Sequence, residues 1–489
     1  MGDFGHEAPF VVPFLVNGRD VIPEGEDRTH PVVNPATGLV AHYYSGARSD
    51  DARAAVDAAK AAFPVWRNYT PRARRDVLLR AAQAMKARFE ELASYQSAET
   101  GQPRSWSEFD VNTAVELITD AAGLAARANT GRAPTTQDAA IGALVLDEPY
   151  GVVVGIAPWN APYILGTRAV VFPLAAGNTV VLKGSELSPR IMWAIASVFA
   201  EAGVPPGAVN VVYAAPGPDA VAVTEALVAH PAVRKINFTG STAVGRILGR
   251  LAGEHLKPLL LELGGKAPAI VWSDADLDMA AEKVALGAFL NAGQICMSTE
   301  RVIVHRSVQD AFSAKLAPTL ATIFGTPDEP RSAQVLIRPQ AVARAKALVE
   351  DALRKGATLV GPIQDVAAAV NVDGRMRPLV VAGVTRDMDL YDTESFAPVV
   401  CLYAVDTEEE AVAQANDTEY GLTAAVFTED LRRGLRFARG IESGAVHIND
   451  MTVHDEAILP HGGVKASGYG RFNADLSEWV QTKTITYRV

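Results

Sequence analysis

From Gly151 onward, short β-branched apolar runs alternate with longer alanine-rich stretches. The runs cover 151–157, 178–183, 209–213 and 235–239, and the stretch from Arg190 to Ala200 between two of them reads as a helix. Continuous apolar strands separated by helices predict a parallel sheet covered on both faces. That is a doubly wound α/β unit, whose ligands sit beyond the carboxyl ends of its strands. The rhythm resumes with strands over 268–272, 301–305, 399–403 and 424–427 and a helix over 340–354, which predicts a second α/β unit beginning near Gly264–Gly265. Upstream, 50–63 and 71–100 read as helices, the second opened by Thr70 as N-cap and Pro71 at the first turn. The segments 132–149 and 482–489 have strand character but fit neither layer, so each is expected to pair at another subunit's edge.

Composition narrows the class. A chain of 489 residues is too long for one core. Hydrophobic residues make up 49% and charged residues 21%, the mix of a soluble globular protein. A net charge of -11 speaks against a nucleic-acid partner. Two cysteines give no disulfide framework and suit a reducing compartment. The N-terminal apolar run over 10–16 is broken by Pro13, and no stretch reaches the ~20 apolar residues of a spanning helix. A cytoplasmic protein without a membrane partner is expected. The nine histidines show no metal-ligand spacing, so no metal site is expected.

The chemistry gathers around glycines. Cys296 lies in Gly293-Gln-Ile-Cys296, and Glu262 in Glu262-Leu-Gly-Gly-Lys266. A thiol that attacks a carbonyl and a carboxylate that activates water would together support covalent catalysis. A free cysteine is more often a small buried hydrophobe, which is the reading for Cys401 on its apolar strand. Phe238-Thr-Gly240-Ser241, with Gly245 beyond, joins a strand to a helix. A phosphate site at the helix N-terminus and a plain glycine-rich connection are equally good readings there. Lys183-Gly184-Ser185-Glu186 follows another strand. Its carboxylate would accept from a ribose 2′-hydroxyl, unless the two charges are merely solvated. Asn160, after Pro158-Trp159, would donate to an oxyanion or simply form a turn.

Taken together these motifs resemble the aldehyde dehydrogenase superfamily, from Asn34-Pro35 to the last strand, and include Glu394-Ser-Phe396-Ala-Pro398 and Gly462-Gly-Val-Lys465. The resemblance implies an α/β fold with a Rossmann-like NAD-binding domain (1–128 and 150–263), a catalytic α/β domain (264–473) and a small β bridging element (129–149 and 474–489). It implies Cys296 as nucleophile, Asn160 and the Cys296 N–H as oxyanion donors, and Glu262 as the base that hydrolyses the thioester. NAD, rather than NADP, would be held by Ile156, Pro158, Trp159, Lys183, Glu186, Phe238, Gly240, Ser241, Gly245, Leu263, Glu394 and Phe396. A homodimer or homotetramer follows. Such a nucleophile works best with its pKa lowered from the ~8.5 of a free thiol. Having Glu262 favours release of a free acid over acyl transfer to coenzyme A. Departures from the usual pattern are Gly184 for proline, Ala397 for glycine, His461 for phenylalanine and Gln481 for glutamate. Gly184 is expected to loosen the ribose loop, and His461 to alter the substrate mouth.

Within the superfamily the chain is most similar to the salicylaldehyde and vanillin dehydrogenases, through 155–162, 296–301, His454-Asp-Glu456 and 463–471. That likeness implies an aromatic aldehyde substrate. Trp106 would stack on its ring and Arg168 would receive a hydroxyl or phenolate, with Ile164, Ile295, Met297 and Val453 forming an apolar wall. If Asn160 opens a helix, Arg168 lies two turns down the same face. The alternatives are a dicarboxylic semialdehyde held by Arg168 and an inactive structural protein. Core packing for Trp106 and an ion pair for Arg168 are the plainer readings of those residues.

Overall fold

The computed structural model describes residues 10–128, 130–371, 374–473 and 475–489. Residues 1–9, Asn129 and Ala474, which open three of the expected segments, lie outside the described residues. Strands β1 (Val152–Ile156), β2 (Thr179–Lys183), β3 (Val209–Val212), β4 (Val233–Thr239) and β5 (Leu259–Glu262) run parallel in the order β5-β4-β1-β2-β3. Every residue of β1 and β3 is buried, as continuous apolar runs require. The winding reverses between β1 and β4, so a crevice opens where Ile156 and Thr239 end their strands.

A second sheet holds β6 (Ala267–Val271), β7 (Thr299–His305), β8 (Leu379–Ala382), β9 (Val399–Val405), β10 (Thr423–Phe427) and β11 (Ala445–Ile448), parallel in the order β8-β9-β7-β6-β10-β11. The change of sheet falls between Glu262 and Ala267, and the glycines Gly264 and Gly265 make it. The chain then returns. Gly468–Tyr469, expected in the second unit, pairs antiparallel with β5 and lengthens the first sheet.

Three expectations change. The segment 71–100 is two helices, Pro71–Ala87 and Phe89–Thr100, parted at Arg88. The Arg88 guanidinium binds Glu91 and the distant Ser197, so a tertiary contact fixes a bend that local propensity does not encode. The helix after Asn160 spans Pro162–Ala175 and starts at Pro162, so Asn160 does not open it. Asp110, from the helix Arg104–Ala125, supplies the missing cap by accepting from Tyr163 N (3.0 Å) and Ile164 N (2.9 Å). Lastly, the two leftover segments pair with each other: Ile141–Pro149 runs antiparallel to Val480–Arg488 along its whole length. Gln481 stands opposite Glu148, where a glutamate would set like charges face to face.

Candidate active site

Cys296 sits behind a strained loop. Asn291, Ala292 and Gly293 all have left-handed φ values of 50°, 57° and 71°. Only Gly293 adopts this freely, and a Cβ there would lie 2.3 Å from the Ala397 carbonyl. Surrounding bonds hold the other two. Gln294 donates to the carbonyls of Asn291 (3.0 Å) and Val335 (3.2 Å) and accepts from Ile337 N (2.9 Å). Asn291 donates to Asn160 O (2.9 Å), and Ala292 N donates to Gln334. The loop thus delivers Cys296, half-buried, to the mouth of the β1/β4 crevice.

A cleft of about 260 Å³ gathers Pro158, Trp159, Asn160, Gly240, Ser241, Glu262, Leu263, Cys296, Glu394 and Phe396. Ten of the residues picked from sequence therefore share one space. Asn160 spends one amide hydrogen on the Gln294 carbonyl (3.0 Å), which fixes its side chain beside the Cys296 loop. Glu262 is fully buried at the end of β5, and neither carboxylate oxygen has a hydrogen-bond partner among the described residues. Cys296 is not an activated thiol in this setting. Burial, then the carboxylates of Glu262 and Glu394, push its pKa well above the usual thiol range. The expected lowering is reversed because Arg168, which favours the thiolate, is outweighed. To become a thiolate it would have to pass its proton to a neighbour, and the Glu262 carboxylate acts on it directly.

Sequence reasoning gave Glu394 and Phe396 roles without seeing what holds them. Phe396 has a left-handed φ of 48°. Glu300 sustains it by accepting from Ser395 N (2.7 Å), Phe396 N (3.2 Å) and the Ser395 hydroxyl (3.0 Å), while the buried Lys266 ammonium pairs with Glu300. Both residues lie inside motifs quoted for the resemblance, but their types alone give no hint of mutual pairing. The Phe396 ring meets Trp159 edge-on at 6.0 Å. Glu394 accepts from Gly265 N (2.9 Å), and burial pushes its pKa up to about 8. Arg344, which no motif marked, also lines the cleft and donates to the Glu394 carbonyl (2.9 Å).

Other named residues sit around this space. Ile156 and Phe238 are buried in β1 and β4, where they pack. Gly240 leaves room for the Phe238 ring, and Gly245 lets its helix close on Leu263. Ser241 caps the helix Thr242–Glu254 by accepting from Val244 N. Lys183 and Glu186 flank the end of β2; burial lowers the Lys183 ammonium, and Glu186 pairs with Arg338 at 2.8 Å. Gly184 does not loosen this loop. Its N–H donates to Val212 O (3.0 Å), a bond proline cannot make, and Met192 packs against it.

The residues expected to meet the substrate belong to the large apolar core of the first unit, Arg168 excepted. Trp106, Ile164, Ile295 and Val453 are buried in one apolar cluster with Met297 against it. The Trp106 indole N–H donates to the Asn160 carbonyl (3.3 Å), which ties its ring to the backbone of Asn160. Arg168 is only 1% exposed, and its guanidinium pairs with Asp455. The plainer ion-pair reading holds for it, and its charge is already answered.

Comparisons with known proteins agree with this geometry. The model of the aldehyde dehydrogenase family matches residues 22–485. A vanillin dehydrogenase of Pseudomonas fluorescens is 46% identical over 480 residues, covering 97% of each chain. A crystal structure of a salicylaldehyde dehydrogenase from Pseudomonas putida G7 complexed with salicylaldehyde superposes with a TM-score of 0.91 at 35% identity, covering 98% of both chains. A succinate-semialdehyde dehydrogenase from Burkholderia pseudomallei also superposes with a TM-score of 0.91 at 35% identity and 98% coverage of both. With the match running through both sheets and the cleft between them, the chain belongs to the aldehyde dehydrogenase family.

Proposed function

We propose that this aldehyde dehydrogenase converts an aromatic aldehyde to its free acid and uses NAD in preference to NADP. Cys296, relieved of its proton by Glu262, adds to the aldehyde carbon. The oxygen becomes an oxyanion between the Asn160 amide and the Cys296 N–H. Loss of hydride leaves an acyl thioester. Once it has released the thiol proton to solvent, Glu262 takes a proton from water, hydroxide adds to the acyl carbon, and the carbon–sulfur bond breaks to return the thiolate.

The residues fit a nicotinamide dinucleotide. The cleft lies at the switch point of the first sheet, and a Cβ on Gly264 would come within 2.6 Å of the Glu394 carboxylate. Lys183 and Glu186 would hold the adenosine ribose, the Ser241 helix end the pyrophosphate, and Glu394 with Phe396 the nicotinamide ribose and ring. When bound, the cofactor supplies hydride acceptance.

The observation that carries the aromatic reading is the pairing of Arg168 with Asp455 beside an otherwise apolar wall. A distal carboxylate would find its cation neutralised, whereas a ring finds Trp106, Ile164 and Val453. The vanillin and salicylaldehyde dehydrogenases named above act on aromatic rings, which supports the same reading. Steady-state kcat/KM for vanillin, salicylaldehyde, benzaldehyde and succinic semialdehyde decides it, with Cys296→Ala as the inactive control. Higher kcat/KM for the semialdehyde would sink the aromatic assignment. A wild type that forms no NADH from any aldehyde would revive the inactive protein.

The ribbon Ile141–Pro149/Val480–Arg488 carries exposed Leu144, Ile485 and Tyr487, and its two outer edges are open apart from the bridge of Arg132 to Val145. A two-stranded ribbon is marginal alone. Pairing at those edges would join the bridging element (129–149 and 474–489) to a second copy, giving a homodimer or homotetramer. A nucleophile that must stay reduced suits the cytoplasm.

A further inference from the structure

The buried base Glu262 must shed each proton it takes, and its own surroundings offer one route. His461 Nε2 lies 3.6 Å from Glu262 Oε1, and His461 Nδ1 lies 3.6 Å from Asp455 Oδ1. His461 is 8% exposed and its Nε2 has no hydrogen-bond partner among the described residues. The backbone sets this placement. His461 exchanges two hydrogen bonds with Phe472 (2.9 and 2.8 Å), and between them the chain pairs Gly468 with Glu262 on β5. The distances sit just beyond hydrogen-bond length, which catalytic contacts close when reactants bind.

Asp455 is held for this arrangement. It pairs with Arg168, and its Oδ1 accepts from Asn473 Nδ2 (3.0 Å). Burial works against its charge, but Arg168 and then His461 outweigh burial and keep its pKa below the usual range. A carboxylate facing Nδ1 keeps the proton on that nitrogen and leaves the Nε2 lone pair toward Glu262, the logic of an acid–histidine pair. Asp455 in turn lines an open groove of about 390 Å³ with Thr113, Glu116, Asp120 and Ile458. The groups facing Glu262 are Cys296 and His461; Glu394 acts on the same thiol from across the cleft. Those facing the His461–Asp455 pair are Glu262, Arg168, His454 and Asn473.

We propose that His461 is the proton acceptor of Glu262, positioned by the Asp455–Arg168 pair, and that it clears the proton of each hydrolysis toward the Asp455 groove. It rests on Glu262 being the water-activating base. The proton taken from water moves from the Glu262 carboxyl to His461 Nε2, and a proton leaves Nδ1 through Asp455 to solvent. Nothing is oxidised or reduced in this transfer. Arg168 thereby acquires a task other than binding substrate: it keeps Asp455 ionised.

The test is rapid-mixing and steady-state kinetics of wild type, His461→Phe, His461→Gln, His461→Ala and Glu262→Gln, with NAD and the best aldehyde of the panel, across pH. In His461→Phe the first-turnover burst of NADH is expected to survive while kcat falls roughly tenfold or more, with the acid limb of kcat against pH lost. His461→Gln keeps the size and a hydrogen bond but accepts no proton, so it is expected to behave like His461→Phe, and added imidazole is expected to restore part of kcat in His461→Ala. Full activity in His461→Gln would overturn the proton transfer, and an unchanged kcat and pH profile in His461→Phe would overturn the proposal outright. If Glu262→Gln keeps wild-type turnover, Glu262 is not the base, and the proposed mechanism falls with this one. If only the histidine variants are unaffected, the mechanism stands and His461 has no part in it.

Discussion

Glu262 and Glu300 are both buried carboxylates, 0% and 3% exposed. Glu300 is fully answered: an ammonium, two backbone N–H groups and a hydroxyl bind it. Glu262 has no hydrogen-bond partner among the described residues. A carboxylate with every lone pair engaged holds structure and has little left for chemistry. A carboxylate buried without partners is costly to the fold, and that cost is tolerable where its lone pairs are needed for a proton. The first fixes the strained Phe396 turn; the second faces the thiol.

Exchanging each for its amide should separate the two roles. Glu262→Gln is expected to lower aldehyde turnover by about 10²–10⁴-fold while the melting temperature stays equal to or above that of wild type, since no bond is lost. Glu300→Gln leaves the Lys266 ammonium buried beside a neutral group. It should cost about 3–5 kcal/mol of stability, seen as a large fall in the denaturation midpoint. A Glu262→Gln protein that melted far below wild type would erase the distinction between them.

The contrast marks how far sequence reasoning reached. The strand ends were legible because continuous β-branched runs give parallel strands, and the crevice follows from their order. Cys296, Glu262 and Asn160 were legible because their types suit one reaction and their motifs recur together. The shifted thiol was not, since it depends on carboxylates brought from β5 and from the turn before β9. The partner of Arg168 was not legible, because Asp455 is far away in the chain and nothing local announces the pair. Short strands such as β5, whose Leu-Leu-Leu-Glu favours helix in isolation, were set by their place between β4 and Gly468–Tyr469. His461 was visible only as a departure; its partners are tertiary.

A third glutamate lies between the two extremes. Glu394 takes one bond, from Gly265 N, and burial followed by the nearby Glu300 raises its pKa to about 8. A folded pKa above the unfolded value means the protonated native form is favoured. Its contribution to stability is complete below the ordinary carboxyl range near 4.5 and is lost as pH rises through about 8. Glu394→Gln cannot ionise, so across pH 5 to 9 its melting temperature should fall less steeply than that of wild type. Parallel curves would mean that Glu394 does not change its protonation over that range.

Glu186 is the half-exposed member of the series, paired with Arg338, whose side chain is 44% exposed. Such pairs contribute about 0–1 kcal/mol, so the fold should not notice its loss. Cofactor choice should. On the proposed reading the carboxylate would repel a 2′-phosphate, and it occupies the Arg338 guanidinium, which could otherwise pair with that phosphate. Glu186→Ala removes the repulsion and frees Arg338 together. The ratio of kcat/KM for NADP to that for NAD should therefore rise, about tenfold for each 1.4 kcal/mol gained, with the melting temperature unchanged. In Glu186→Ala/Arg338→Ala the repulsion is still absent but the guanidinium is gone, so the rise should shrink to the part that repulsion alone accounts for. An equal rise in both variants would assign cofactor choice wholly to the carboxylate and leave Arg338 as its structural companion.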